Sequence, residues 1–294
     1  MPEVKYYEYS LTLKKSNIPL MFVDTFFWKT LFKQSPLREL LERCCKMNKI
    51  LIVITNLLKG ELINRGIFEK INDICGDNLI CVPTGRITAN QIIHAMIAYK
   101  EKLTKSQLSW ETSISEVPPL KSQENLKNAI GYFRDELNKL KSDISSTHGR
   151  NKRRLIISTL TSIALEFWKD TLKIYGDLLK LNGEEYDQFF YTNYFLDLPS
   201  IVFQVYLMGY TLSTTNIKTQ DVVDIFNISE IIPYTAFSVI DKVQHQRLME
   251  LARDYPMLFG SLFKHVYITS KHKRSPNIEE NLKSFLKWCI YKDF

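Results

Sequence analysis

Short runs that are hydrophobic at nearly every position recur along the chain, and each precedes a stretch with helical periodicity. The first three are Leu20–Val23, Ile50–Thr55 and Leu79–Val82. A strand buried on both faces of a parallel sheet has this continuous pattern, whereas a strand with one wet face alternates apolar and polar residues. Three strand–helix alternations therefore predict an α/β fold with right-handed crossovers.

The remaining elements follow from the same patterns. Helical periodicity runs from Phe27 to Leu41 with an interruption near Pro36. Further helices are predicted over residues 57–74, 88–103, 199–212, 219–232, 242–252 and 278–291. Two late strands are predicted at Ala236–Ile240 and His265–Thr269, and the partly alternating residues 4–14 predict an edge strand.

The middle of the chain shows no strand pattern. Pro118 and Pro119 interrupt it, and two long helices are predicted over residues 122–142 and 151–181. We therefore expect the first half of an α/β domain at residues 1–103 and a helical insertion at 104–198. Residues 199–294 then form the second half of the domain and a C-terminal helix.

Composition and local motifs argue against several classes of protein. No stretch approaches the roughly 20 apolar residues of a membrane-spanning helix, and the N-terminus lacks a signal pattern, so we expect a cytoplasmic protein without a membrane partner. The five cysteines form no CxxC pair and are expected to be reduced. Phosphate-loop, dinucleotide-binding and nucleophile-elbow motifs are all missing. The net charge of +7 favours an anionic partner such as nucleic acid.

Acidic residues follow two of the predicted strands directly. Asp24 comes after the first strand, and Asp241 comes after the strand that begins at Ala236. The carboxyl ends of parallel strands share one edge of a sheet, which is where open α/β sheets bind ligands. Asp224 lies near the start of the helix before the Asp241 strand, and Glu61 lies early in the helix after the second strand, so both are expected at the same edge.

Clustered carboxylates repel one another unless a cation holds them together. Oxygen ligands suit Mg²⁺ or Mn²⁺, and such a site can activate water and stabilise charge on a transferring phosphoryl group. The cluster therefore predicts phosphodiester hydrolysis.

Four segments resemble the ordered motifs of the PIN-domain family. Phe22–Thr25 is similar to its opening motif, and the second, third and fourth motifs resemble Leu57–Leu62, Asp221–Ser229 and Pro233–Lys242. The resemblance covers residues 17–100 and 199–275. It implies a Rossmann-like three-layer α/β/α fold with a mostly parallel central sheet, bound Mg²⁺ or Mn²⁺, and RNA as the usual substrate. It also implies that the metal ligands and catalytic acids are Asp24, Glu61, Asp224 and Asp241.

Each of these positions also has a purely structural interpretation. Asp24 and Asp241 could cap the helices that follow them, and Asp221 could cap the helix of Asp224 or replace Glu61 as a ligand. Thr25 could bond to the metal site or cap a helix. Substrate phosphates could be bound by Lys242 and by the basic run Arg150, Lys152, Arg153 and Arg154, although a solvated surface explains them equally well.

The sequence thus predicts a metal-dependent endoribonuclease, of a kind that would suit a toxin-like or defence-related role. Its partner would be nucleic acid, with RNA as the first expectation. A second copy of the chain or an inhibitory protein is a further partner left open. The alternative is a catalytically silent PIN-like module that binds nucleic acid or protein. A metal-dependent phosphatase is a third hypothesis, weakened because Phe26 stands where a second aspartate would be expected.

Overall fold

The computed structural model describes residues 18–82, 84–102, 123–144, 150–212, 216–232, 235–255, 266–269 and 278–292. The edge strand predicted at residues 4–14 lies outside these ranges. The chain divides into two compact units, and each is described by itself. The first unit comprises Met1–Thr84 and Ile231–Phe294, and the second comprises Gly85–Glu230.

The first unit contains a five-stranded parallel sheet and its helices. Its strands are β1 (Leu20–Val23), β2 (Leu51–Thr55), β3 (Leu79–Val82), β4 (Phe237–Asp241) and β5 (Val266–Thr269). Its helices are α1 (Thr25–Lys33), α2 (Ser35–Lys46), α3 (Asn56–Asn64), α4 (Phe68–Cys75), α12 (Lys242–Asp254) and α13 (Ile278–Tyr291). The predicted α/β class is confirmed.

The strand order is β3-β2-β1-β4-β5, with all neighbours parallel. The chain first builds the sheet outward from β1 to β3, and it later returns to the other side of β1 to add β4 and β5. Connections therefore leave β1 and β4 in opposite directions. The carboxyl ends of these two strands form a topological switch point, where a crevice opens in sheets of this kind.

The apolar pattern of the strands reflects burial on both faces. Every residue of β1 and β2 is buried. Behind β1, the indole Nε1 of Trp28 donates to the carbonyl oxygen of Val23 at 3.1 Å and fixes α1 against the strand end. The helix predicted over residues 57–74 is two helices, because Gly66 adopts a positive φ of 66° that ends the first.

The second unit is entirely helical in its described residues. It contains α5 (Arg86–Lys100), α6 (Gln123–Ile144), α7 (Arg150–Leu178), α8 (Gly183–Phe189), α9 (Asn193–Leu196), α10 (Pro199–Thr211) and α11 (Thr219–Ile231). The two long helices predicted for the middle of the chain are α6 and α7. The unit has wider limits than residues 104–198, because α10 packs on both α5 and α7. None of the described helices is both long and apolar enough to cross a bilayer.

Helix α5 lies inside the second unit and carries an unusual number of buried polar residues. At its N-terminus the Glu230 carboxylate accepts hydrogen bonds from the backbone N–H groups of Gly85 at 2.7 Å and Thr88 at 3.1 Å. The Thr88 hydroxyl accepts from Gln204 at 2.9 Å, and Gln204 accepts from the Trp168 indole at 3.2 Å. A connected polar network thus satisfies the start of a buried helix.

Candidate active site at the carboxyl edge of the sheet

Asp24 joins β1 to α1 and is half-buried. Its backbone N–H donates to the carbonyl oxygen of Val239 on β4 at 2.9 Å, so the residue extends the pairing of β1 with β4. Its extended backbone lets the side chain cap α1, and Oδ1 accepts from the N–H of Thr25 at 2.6 Å. Asp24 therefore caps a helix and also holds a carboxylate at the switch point.

Asp241 occupies the equivalent position on β4. It is the last residue of the strand rather than the first residue after it, and it is half-buried. Its Oδ1 accepts from the N–H groups of Val243 at 2.6 Å and Gln244 at 2.9 Å, which caps α12. Because Val23 pairs with Val239, the ends of the two strands lie side by side. The predicted meeting of two strand-end acids follows from the observed strand order.

Glu61 lies in the second turn of α3, which begins directly after β2. Its Oε1 forms an ion pair with Nη2 of Arg65 one turn later, at 2.7 Å. The Arg65 guanidinium carbon also lies 5.2 Å from the ring centroid of Phe26 in the first turn of α1. Helix α3 therefore presents a carboxylate and a cation next to the start of α1.

The pKa of the Asp24 carboxyl reports the electrostatics of this edge. Burial raises it most, and the negative charges of Asp241 and Glu61 raise it further. The N–H of Thr25 and the charge of Arg65 lower it. The resulting pKa is about 7, so Asp24 holds a proton for much of the time near neutral pH. Asp241 and Glu61 therefore both lie close enough to Asp24 for their charges to act on it.

Asp224 lies on α11 in the second unit, and its Oδ1 accepts from the Gln220 side chain at 3.0 Å. Asp221 accepts from the backbone N–H of Lys218 at 3.0 Å, which is the capping interaction considered for it above. The role of Asp224 as a metal ligand stays a prediction.

The described ranges contain no group of three or more His, Cys, Asp or Glu side chains placed to hold a metal ion. Mg²⁺ does not require such a group, because it keeps several waters and often binds through one or two carboxylates together with substrate phosphates. The Oδ1 atoms of Asp24 and Asp241 bind backbone N–H groups, whereas no described residue donates to their Oδ2 atoms. Each carboxylate thus keeps an oxygen to which no described residue donates, and cation binding by the pair stays a prediction.

The predicted substrate-binding residues fall into three groups. Thr25 is fully buried, and its Oγ1 meets no partner among the described residues. Lys242 is exposed at the first position of α12, next to Asp241. Helix α7 begins at Arg150, one residue before the predicted start, but the side chains of Arg150, Lys152, Arg153 and Arg154 lie outside the described part of the structure. Their contact with phosphates stays a prediction.

Arg65, Phe26 and Glu230 were not identified from the sequence as residues of interest. The spacing of Glu61 and Arg65 is that of an ion pair on one helix face, and this signal was available in the sequence. Exposure of Phe26 and complete burial of Glu230 have no local signal, because both depend on which helices pack together.

Comparison with protein-family models, curated proteins and solved structures gave no match. The proposed function therefore rests on the fold and on the geometry at the carboxyl edge of the sheet.

Proposed function

We propose that this chain is a divalent-cation-dependent phosphodiester hydrolase, most specifically an endoribonuclease of the PIN-like kind. One observation carries the proposal. Asp24 and Asp241 end the adjacent strands β1 and β4 on the two sides of the switch point, which is where open parallel sheets bind their ligands. The resemblance of four ordered segments to PIN-domain motifs adds the reaction class and RNA as the substrate.

The N-termini of α1 and α12 support an anionic substrate. Both helices start at the carboxyl edge, directly after Asp24 and Asp241. The partial positive charge of a helix N-terminus favours a nearby anion, and the exposed Lys242 adds a full charge. These features would attract a phosphodiester toward two carboxylates that would otherwise repel it.

The carboxylates would hold Mg²⁺ or Mn²⁺, which when bound supplies an activated water and stabilises charge on the phosphoryl group. Asp24 and Asp241 would bind the cation through the oxygens that do not cap helices. Since the pKa of Asp24 is about 7, cation binding would displace a proton from this carboxyl near neutral pH. Glu61 would keep Arg65 close to the site, and Asp224 remains the proposed fourth acid.

A second function has its own support. The Glu61 carboxylate is already paired with Arg65, so one of the predicted acids is not free to hold a cation. This observation favours a catalytically silent PIN-like module that binds nucleic acid through the same edge. This alternative predicts nucleic-acid binding that is unchanged by a chelator and by amide substitution of the aspartates.

The two functions are separated by one assay. The full chain and its D24N and D241N variants would be incubated with single-stranded RNA, duplex RNA and DNA, each with Mg²⁺, with Mn²⁺ or with a chelator. Cleavage that requires the cation and is lost in both variants supports the hydrolase. The E184Q variant, altered at an exposed glutamate of α8, should retain full activity. Binding without cleavage under all conditions would support the silent module.

A further inference from the structure

Phe26 is an exposed aromatic residue in the first turn of α1, two positions after Asp24. Its exposed fraction is 44%, whereas Phe27 and Trp28 beside it are fully buried. A single exposed apolar residue is ordinary in a folded protein and needs no explanation. Phe26 differs because a guanidinium group and the acidic edge both lie next to it.

Arg65 connects Phe26 to the acidic residues. Its guanidinium carbon lies 5.2 Å from the centroid of the Phe26 ring, and its Nη2 lies 2.7 Å from Oε1 of Glu61. Its charge also reaches Asp24, because it lowers the pKa of that carboxyl. The side chain is about one-third exposed. Arg65 therefore contacts both the Phe26 ring and Glu61, and it lies close enough to Asp24 for its charge to act there.

We propose that Phe26 and Arg65 form a stacking platform for an unpaired nucleobase beside the phosphodiester held at Asp24 and Asp241. The inference rests on the proposed function. Aromatic rings and guanidinium planes are the two protein groups on which bases stack, and stacking requires a base face that is not covered by neighbouring bases. The Arg65 cation also attracts the adjacent backbone phosphate.

The platform makes Phe26 and Arg65 determinants of substrate choice. A base in a duplex is stacked on both sides and cannot lie on the ring without leaving its helix, which costs a few kcal/mol. A strand with unpaired bases has no such cost. The platform should therefore favour a strand with unpaired bases over a duplex. It should also favour that strand over one that has only the sugar–phosphate backbone, because the latter has no base to stack.

The chain offers a matched control at the other edge of the sheet. Trp288 on α13 is 44% exposed, and the ammonium group of Lys292 lies 4.6 Å from its ring centroid. The carbonyl oxygen of Lys292 accepts a hydrogen bond from Lys49, which lies two residues before β2 and thus at the amino edge. This pair also places a cation over an exposed aromatic ring, but it lies away from the acids.

The experiment measures binding of three labelled probes to the full chain carrying D24N, which is expected to suppress cleavage. The probes are a short random-sequence RNA strand, the same length of strand with all bases removed, and an RNA duplex. F26L, F26W, R65M and W288L are added in turn, and fluorescence anisotropy gives each dissociation constant.

We expect F26L to weaken binding of the base-carrying strand roughly tenfold or more, since stacking of one base contributes ~1–3 kcal/mol. F26L should leave the abasic strand unchanged, F26W should restore binding, and W288L should change neither. R65M should weaken both strands, because it also removes a phosphate contact.

The platform would be overturned if F26L bound each strand as tightly as the D24N parent does. It would also be overturned if F26L weakened binding of the base-carrying and abasic strands equally. The same loss from W288L would show that the effect is not local and would also overturn it. The proposed function is judged separately by the wild-type chain. Cleavage that ignores cation and D24N would overturn the hydrolase, while base-dependent binding that is lost in F26L and kept in W288L would still support the platform.

Discussion

Two carboxyl groups, one in each unit, both have a raised pKa but lie in different surroundings. Asp24 in the first unit and Glu230 in the second both accept hydrogen bonds at the N-terminus of a helix, and burial raises the pKa of each to about 7. Asp24 is half-buried and is further raised by the charges of Asp241 and Glu61. Glu230 is fully buried, and only hydrogen bonds from Gly85 and Thr88 counteract the rise in its pKa.

The difference separates a site from a structural support. Both oxygens of Glu230 are bonded to backbone N–H groups, so its acceptor capacity is used inside the fold. Asp24 binds one N–H and faces other negative charges at an open edge, so a cation would relieve its repulsion. A perturbed pKa alone therefore does not identify a functional residue, because the surroundings decide what the group can do.

The largest expected effect is the loss of cleavage in D24N. Asparagine still caps α1, so the fold should persist while one cation ligand loses its charge. We expect cleavage to fall at least about a hundredfold, since a bound cation contributes several kcal/mol to such reactions. Initial rates with RNA and Mg²⁺, together with urea unfolding, provide the measurement. A D24N protein that cleaves normally would show that Asp24 is not part of the site. Asp24 would then be a structural carboxylate, as Glu230 is.

The next largest effect is on stability, and it concerns Glu230. E230A leaves two buried N–H groups without an acceptor, at a cost of ~1–3 kcal/mol each. The free energy of unfolding in urea should therefore fall by about 2–6 kcal/mol. The matched control is E185A, because Glu185 makes a capping box with Asn182 on the exposed start of α8 and its loss should cost ~1 kcal/mol or less. Equal losses from both variants would show that burial does not distinguish Glu230.

A third prediction concerns pH. A carboxyl whose folded pKa lies above its unfolded value stabilises the fold below the unfolded pKa, and this stability is lost as pH rises through the folded pKa. For both groups that window runs from the ordinary values of 3.8 for Asp24 and 4.5 for Glu230 up to about 7. Wild-type unfolding free energy should therefore fall from about pH 4 to about pH 7, and less so in D24N. A slope unchanged by D24N would contradict the raised pKa of Asp24.

The pH dependence of cleavage extends this prediction to the site. Cation binding requires ionised Asp24, so kcat/KM should rise with pH through about 7. The E61Q variant removes one negative neighbour and should move this rise to lower pH by less than about one unit. A pH–rate profile of both proteins measures the shift, and a rise that moves to higher pH would contradict the sign.

The smallest effect is expected from E61Q on activity and stability themselves. The Glu61–Arg65 pair is about one-third exposed, so its loss should change unfolding free energy by less than about 1 kcal/mol. Cleavage should fall by less than about tenfold, because the Glu61 carboxylate is already ion-paired with Arg65. A loss as large as that of D24N would instead assign Glu61 to the cation.

Much of the first unit could be predicted because its signals are local. Continuous apolar runs specify β1 to β4 to within a residue, and the break near Pro36 is observed between α1 and α2. The single helix predicted after β2 was wrong, since Gly66 was not recognised as a helix end. The short helices α8 and α9 were not predicted, although Asn182 and Glu185 form a capping box that the sequence displays.

The sequence by itself determined the α/β class and the placement of acids at strand ends, because apolar runs and helical periodicity act over a few neighbouring residues. Only the tertiary structure decided that β1 and β4 are neighbours, and this adjacency brings Asp24 beside Asp241. It also decided that Glu230 is buried and that Arg65 lies over Phe26. Such contacts depend on the packing of segments far apart in the chain, so no local pattern records them.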